Sequence, residues 1–410
     1  MHLRAQDFTF LLILSLCDSF LLYPSKPFLR QRNEGSQCLV SQLNVASPLE
    51  RTKTEEPTHV LGKDSLDSLR SVVNDVMQIF TELPQSIREA DDEMCPHLFF
   101  EKTMKPLTLE IIACETELFA MAAGDRKEEA KAKSAIQEIL DPLFPFIKQS
   151  PEMNHSLLWP RGYAGDFEMV QSIMENNKTF DKANPLKTLW GVILKQDICE
   201  QHRNKMKHQG DVLIKGCMER KGAKGETAEI LTLACGPCPD LQMIQDDIEN
   251  SDVHFVLLEK DIGAIQFSQS ILNSKVLDKC DFVEGNVLHL HRGTVVSYIP
   301  EKGYDLVLAG GLFDYLSDKM IIRLLAYIWN DLLAPGGSIF FTNVITDYKA
   351  RFHTEAIMNW SLIERSDDEL RNLCQQAGIP KNCVTTMPES TGITIMVTCR
   401  KSLDDEVVLQ

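Results

Sequence analysis

The sequence predicts an α/β protein: a doubly wound, mostly parallel sheet with a helical domain ahead of it. Three observations carry this. Glu229 to Asp240 (EILTLACGPCPD) reads as a short apolar strand, a tight glycine turn and the start of a helix. Downstream, short apolar runs alternate with segments of helical spacing, the pattern of a parallel sheet with helices on both faces. Upstream, between Lys63 and Ser150, apolar residues recur only at helical spacing.

The 410 residues are 44% hydrophobic and 25% charged, an ordinary globular composition long enough for two or three domains. The net charge of -17 argues against a nucleic-acid partner, which needs clustered Lys and Arg to neutralise phosphates. Twelve scattered cysteines lack the density of a disulfide-stapled module and favour a reducing, cytoplasmic setting. Phe8 to Leu16 (FTFLLILSL) is an apolar run that reads as part of a disordered leader, with a signal h-region or a short anchor as the alternative. Asp18 interrupts it before it is long enough to span a bilayer, so membrane contact stays open.

Arg30 to about Lys63 is polar and aperiodic, a linker. Leu66, Leu69, Val72, Val73, Val76, Met77 and Phe80 then mark one helix face, Ile111, Ile112, Leu118 and Phe119 a second, and Ile136, Ile139 and Leu140 a third, stopped by Asp141-Pro142. The expected organisation is therefore 1–62 leader and linker, 63–150 helical bundle, 151–225 helical cap and connector, and 226–410 sheet domain. The bundle is expected to be scaffold or a homodimerisation surface. Leu157 to Val170 (LLWPRGYAGDFEMV) is a polar-aromatic loop, the kind of segment in which binding groups concentrate. Leu186 to Met218 is mostly helical and charged.

Within the sheet domain, Ile230 to Ala234 is the first strand, and Pro239 suits the first turn of the helix after it. Val253 to Leu258 is the second, ending at Glu259, Lys260 and Asp261, and Asp281 to Asn286 contains the third. Asp305 to Ala309 is the fourth, ending in Gly310 to Tyr315, with Ser317 a suitable N-cap for the next helix. Pro335-Gly336-Gly337 turns the chain into a fifth strand, Ser338 to Val344; Glu369 to Ala377 is helical and Ile393 to Thr398 is a last β run.

Three chemistries compete for the first turn. Cys235-Gly236-Pro237-Cys238 is the dithiol pattern of thioredoxin-like oxidoreductases, but Ala234 stands where an aromatic would be wanted, and no proline occurs between Pro239 and Pro300 to face the dithiol. A dinucleotide site wants G-x-G-x-x-G, and only Gly236 survives of it. A ligand without phosphates asks less of the turn, and S-adenosyl-L-methionine is such a ligand. Glu259 would accept from both ribose hydroxyls, Asn286 would meet the adenine amine with Val287 as an apolar wall, and Gly310 and Gly311 would lie beside the transferable methyl. Ala234, Gly236 and Lys260 complete the expected cofactor-binding set. Arg161 is the candidate for the cofactor's carboxylate, with Tyr163 and Asp166 closing the pocket. Asp314, Tyr315 and His353 are the candidate proton acceptors for a hydroxyl or amine substrate. No residue is assigned to a metal.

The stretches ILTLACGPCPD, LLEKDIGAI, DLVL and LAPGGSIFFTNV resemble the successive motifs of class I S-adenosylmethionine-dependent methyltransferases. More narrowly, PRGYAGDFEM (Pro160 to Met169), GLFDYL (Gly311 to Leu316) and NWSLIERSDDEL (Asn359 to Leu370) are similar to bacterial methyltransferases of extracellular-factor, 3-hydroxypalmitic acid methyl ester biosynthesis. The resemblance spans roughly Leu157 to Arg400 and departs where Ala234 or Cys238 stands in place of a glycine, and Thr232 and Asn286 in place of Asp. It implies a Rossmann-like fold, methyl transfer from S-adenosyl-L-methionine, and a small-molecule or lipid-like acceptor methylated on a carboxylate. A protein acceptor and a degenerate cofactor-binding scaffold are the alternatives.

Overall fold

The computed structural model describes residues 61–402 apart from 124, 293–297 and 347–352. The apolar run Phe8 to Leu16 and the polar linker lie outside the described residues.

Seven strands form one sheet in the order β3-β2-β1-β4-β5-β7-β6. They are β1 (Ala228–Leu233), β2 (Val253–Glu259), β3 (Cys280–Glu284), β4 (Tyr304–Ala309), β5 (Leu333–Val344), β6 (Val384–Pro388) and β7 (Thr394–Arg400). The first five run parallel, and β7 is antiparallel to β5 and β6. The order reverses direction beside β1, where β2 lies on one side and β4 on the other, which opens a crevice at their carboxyl ends. This is the mostly parallel, Rossmann-like α/β fold expected from the sequence.

Burial explains the apolar runs. Leu231, Leu233, Val256 and Leu258 point to one face, where they pack with Ile321, Leu325 and Leu370 of the helices Asp318–Tyr327 and Asp367–Gln376. Ile230, Phe255 and Leu257 point to the other, against Ile214, Leu241 and Ile248. Both faces are covered, so these strands show no polar alternation. The helix Asp367–Gln376 is fixed by a capping box between Ser366 and Glu369.

Several boundaries differ from the sequence reading. Leu241 and Ile248 sit on two short helices, Pro239–Met243 and Gln245–Glu249, and Ile244 lies between them, because it leaves the helical region with φ -124° and ψ 25°. Ser317 occupies the N-cap position without making a side-chain cap bond. β5 begins at Leu333, and Pro335-Gly336-Gly337 forms an irregularity within it, marked by a register shift against Tyr304 and Leu306. β6 was not legible because Val384 is its one buried side chain.

The helices Leu61–Thr81, Met94–Lys102, Met104–Ala122 and Arg126–Leu140 form the bundle. Its core does not stop at residue 150. Leu69, Phe99 and Ile111 share one cluster with Met153, Ile173, Trp190 and Ile193, so the bundle and the cap are one packing unit. Among the described residues, no helix is long and apolar enough to cross a membrane.

Candidate active site

A cavity of about 290 Å³ opens at the carboxyl ends of β1, β2 and β4, just below the range of roughly 300–1,000 Å³ usual for small-ligand sites. Its floor is Ala234, Gly236, Glu259, Asn286 and Gly310, and its roof comes from helices of the cap, among them Asp197–Lys207. The turn after β1 alternates into the left-handed region at Ala234 (φ 52°), Gly236 (φ 54°) and Cys238 (φ 51°). The two positions where the sequence departs from glycine are thus the two where a side chain is strained. Ala234→Gly is expected to relieve about 1–2 kcal/mol of that strain, partly offset by about 0.4–1 kcal/mol of unfolded-chain entropy, for a small rise in the thermal unfolding midpoint. A drop in that midpoint would show that the alanine methyl packs usefully.

The dithiol reading does not survive the geometry. Cys235 and Cys238 are both buried, and Cys235 is pushed well above the ordinary thiol range by its hydrogen bond with Cys238 and by burial. A reactive dithiol needs an accessible thiolate.

Glu259 reaches from the end of β2 into the turn. One carboxylate oxygen accepts from the backbone N–H of Gly236 at 3.0 Å, and the other accepts from those of Lys260 and Asp261 at 2.8 and 3.0 Å. Glu259 is 5% exposed and lines the cavity; three of its roughly four lone-pair sites are taken by these N–H groups, and the one left is on the oxygen that accepts from Gly236. Lys260 lies over the ring of Tyr163 at 4.2 Å, and the Tyr163 hydroxyl donates to Asp261 at 3.0 Å. Asn286 also lines the cavity; its Oδ1 accepts from Leu288 N at 2.9 Å, beside buried Val287.

Arg161 and Asp166 are placed otherwise than expected. The Arg161 guanidinium is a fork on Asp261, with Nε and Nη2 donating at 2.5 Å each, and it stacks over Phe167. That pair holds Asp261 down to about 2, and neither Arg161 nor Asp261 lines the cavity. Asp166 caps the helix Phe167–Glu175, accepting from Glu168 N and Met169 N, and pairs with His155 at 2.7 Å. Both residues therefore build the loop that carries Tyr163, rather than meet a ligand. His353 opens the segment His353–Ile357, but its side chain lies outside the described residues.

At the end of β4, Gly310 and Gly311 give close approach: a Cβ on Gly310 would collide with Gln209, and Gly311 has φ 82°. Asp314 is 3% exposed and its Oδ1 accepts from Val344 N at 2.7 Å. Burial pushes its carboxyl up to about 6, against the pull of Lys205 and Arg365. The Tyr315 hydroxyl accepts from Trp360 Nε1 at 2.7 Å, which ties the Gly311 to Leu316 turn to the loop at 360. Arg365, 3% exposed, clamps the same turn by donating to the carbonyls of Phe313 (3.0 Å) and Leu316 (2.6 Å).

The lining residues that escaped the sequence reading include Trp190, His202, Lys205 and Trp360. His202 and Lys205 belong to a stretch, CEQHRNKMKHQ, whose composition reads as a solvated helix. Instead Lys205 is 3% exposed, and burial lowers its ammonium against the pull of Asp314 and Glu389. His202 is held well below the usual imidazole range by burial and by Lys205 and Arg203.

No protein-family model and no curated protein matches the sequence. Among solved structures, the chain is similar to a possible exported protein from Bordetella parapertussis, at 13% identity over 85% of this chain and 100% of that one, with a TM-score of 0.45. It is similar to the mitomycin 7-O-methyltransferase MmcR at 14% identity over 84% and 96%, TM-score 0.38. It is also similar to an S-adenosylmethionine-dependent methyltransferase from Leishmania major at 16% identity over 60% and 89%, TM-score 0.35. At such identities and scores the likenesses carry no argument, and the fold rests on the sheet itself.

Proposed function

We propose that the chain is an S-adenosyl-L-methionine-dependent methyltransferase that O-methylates the carboxylate of a small molecule or hydroxy fatty acid. The observation that carries this reading is Glu259. A buried carboxylate, held by three backbone N–H groups at the glycine turn of a Rossmann-like sheet, keeps an acceptor site on one oxygen for a ribose hydroxyl. The rest of the floor fits the same ligand. Asn286 and Val287 line the same cavity and would serve an adenine, and a Cβ added at Gly236 would meet nothing within 4 Å, so the backbone there faces open space.

The cofactor would supply a sulfonium methyl for in-line displacement. The chain's residues would hold the two reactants in line and keep water out, and such orientation is worth on the order of 7–11 kcal/mol. A carboxylate acceptor, with a pKa near ~4, is ionised at neutral pH and needs no base. The net charge of -17 fits a small acceptor better than a polyanion.

Calorimetric titration of S-adenosylmethionine into the full chain is the direct test. Saturable heat is expected, with tighter binding of S-adenosylhomocysteine or sinefungin also compatible; absence of heat at millimolar ligand would leave a scaffold. Incubation with lipid and metabolite extracts should then yield a product one methylene heavier, and labelling of protein instead would select a protein acceptor.

A further inference from the structure

The cavity holds a buried cation that the cofactor reading does not use. Lys205 is 3% exposed, lines the cavity, and among the described residues its ammonium makes no hydrogen bond or ion pair. Asp314 and Glu389 act on it only through space. An ammonium with three N–H donors and no protein acceptor, on a residue otherwise buried, turns those donors to the cavity it lines. One turn earlier on the same helix, His202 also lines the cavity, and its Nε2 is buried with no partner. Two unpartnered polar groups thus belong to one cavity wall, with the Lys205 nitrogen beside Gly311, where a Cβ would stand 3.1 Å from it. The walls around them are apolar, from Ile193, Ile198, Met206 and Met358.

We infer that Lys205 is the specificity-determining residue of the acceptor chamber, receiving an acidic group of the acceptor on its ammonium. His202 makes the second polar contact, donating from Nε2 in the tautomer that carries the proton there. This assignment rests on the methyltransferase reading for the identity of the ligand, but not for the site's preference for an anion. Asp314 lines the same cavity and, when ionised, would repel an anionic acceptor; the Lys205 charge offsets it.

The test uses the full chain with S-adenosylhomocysteine present and three probes matched in apolar body: octanoate, 1-octanol and octylamine. By calorimetry, octanoate is expected to bind the wild type roughly tenfold or more tightly than octanol, with octylamine weakest. Lys205→Met, which keeps length and apolar volume, is expected to erase the preference while S-adenosylmethionine binds as before. Equal binding of octanoate and octanol to the wild type would overturn the inference without any variant, leaving water as the partner of Lys205. Loss of S-adenosylmethionine affinity in Lys205→Met, with the octanoate preference intact, would overturn it by assigning the residue to the cofactor's own carboxylate. A wild type that prefers octanoate but does not bind S-adenosylmethionine would keep the anion site and overturn the methyltransferase reading alone.

Discussion

Glu259→Ala is expected to weaken S-adenosylmethionine binding by roughly 10- to 150-fold, the worth of a charge-assisted hydrogen bond of about 1.5–3 kcal/mol. It is also expected to lower stability, since the N–H groups of Gly236, Lys260 and Asp261 lose their acceptor together. Unsatisfied donors cost about 1–3 kcal/mol each when they stay buried, and less where the turn can reopen to water. Glu259→Gln separates the two effects. Its carbonyl can still accept from Lys260 and Asp261, but its amide then presents N–H to the N–H of Gly236 and pushes the turn away. Glutamine should therefore recover part of the urea midpoint and little of the affinity. Unchanged affinity in Glu259→Ala, measured by calorimetry, would remove the residue from the cofactor site and with it the observation that carries the proposed function.

β1, β2 and β4 were legible because burial on both faces leaves apolar runs, whereas β3 has no buried residue and showed only as Phe282-Val283 before its turn. Acids often cap strands, so Glu259 was singled out only together with Asn286 and the glycine-rich end of the fourth strand, which follow it in order. Asp166 was misplaced although its real signal was local: an acidic residue directly before Phe167, at the start of a helical run, is an N-cap. Arg161 could not have been placed from the sequence, since its partner Asp261 lies a hundred positions away and only the fold brings them together. Lys205 and His202 were hidden for a different reason. A lysine-rich helix ordinarily faces water, and only the docking of the cap over β4 turns one of its faces into a wall. The packing across residue 150 was hidden likewise, because Met153 and Trp190 join the cluster of Leu69, Phe99 and Ile111 only in the fold.

Asp314 should make the folded protein more stable at pH 5 than at pH 7, by roughly 1–2 kcal/mol from this group alone. The sign follows from the direction of the shift. The folded state binds this proton more tightly, with the carboxyl at about 6 against 3.8 for an ordinary Asp, so stability falls as pH rises from near the lower value to the upper and stays down above it. The full difference is on the order of 3 kcal/mol. Other carboxyls add their own pH dependence, among them Asp240, also raised by burial, so the useful quantity is the difference between wild type and Asp314→Asn. Asparagine keeps an oxygen for the Val344 N–H and has no proton to release, so the urea midpoint of the variant should lose that share of its pH dependence. The same variant decides the acceptor's chemistry. A carboxylate acceptor gives up no proton, so Asp314→Asn should still methylate it, and the wild-type rate should hold as pH falls toward 6, where Asp314 loses its repulsive charge. A hydroxyl acceptor needs the ionised aspartate as base, so its rate would fall below about pH 6 and drop by roughly 10²–10⁴-fold in the variant. That second outcome would move the methylated group from an acid to an alcohol and leave Lys205 holding a different part of the molecule.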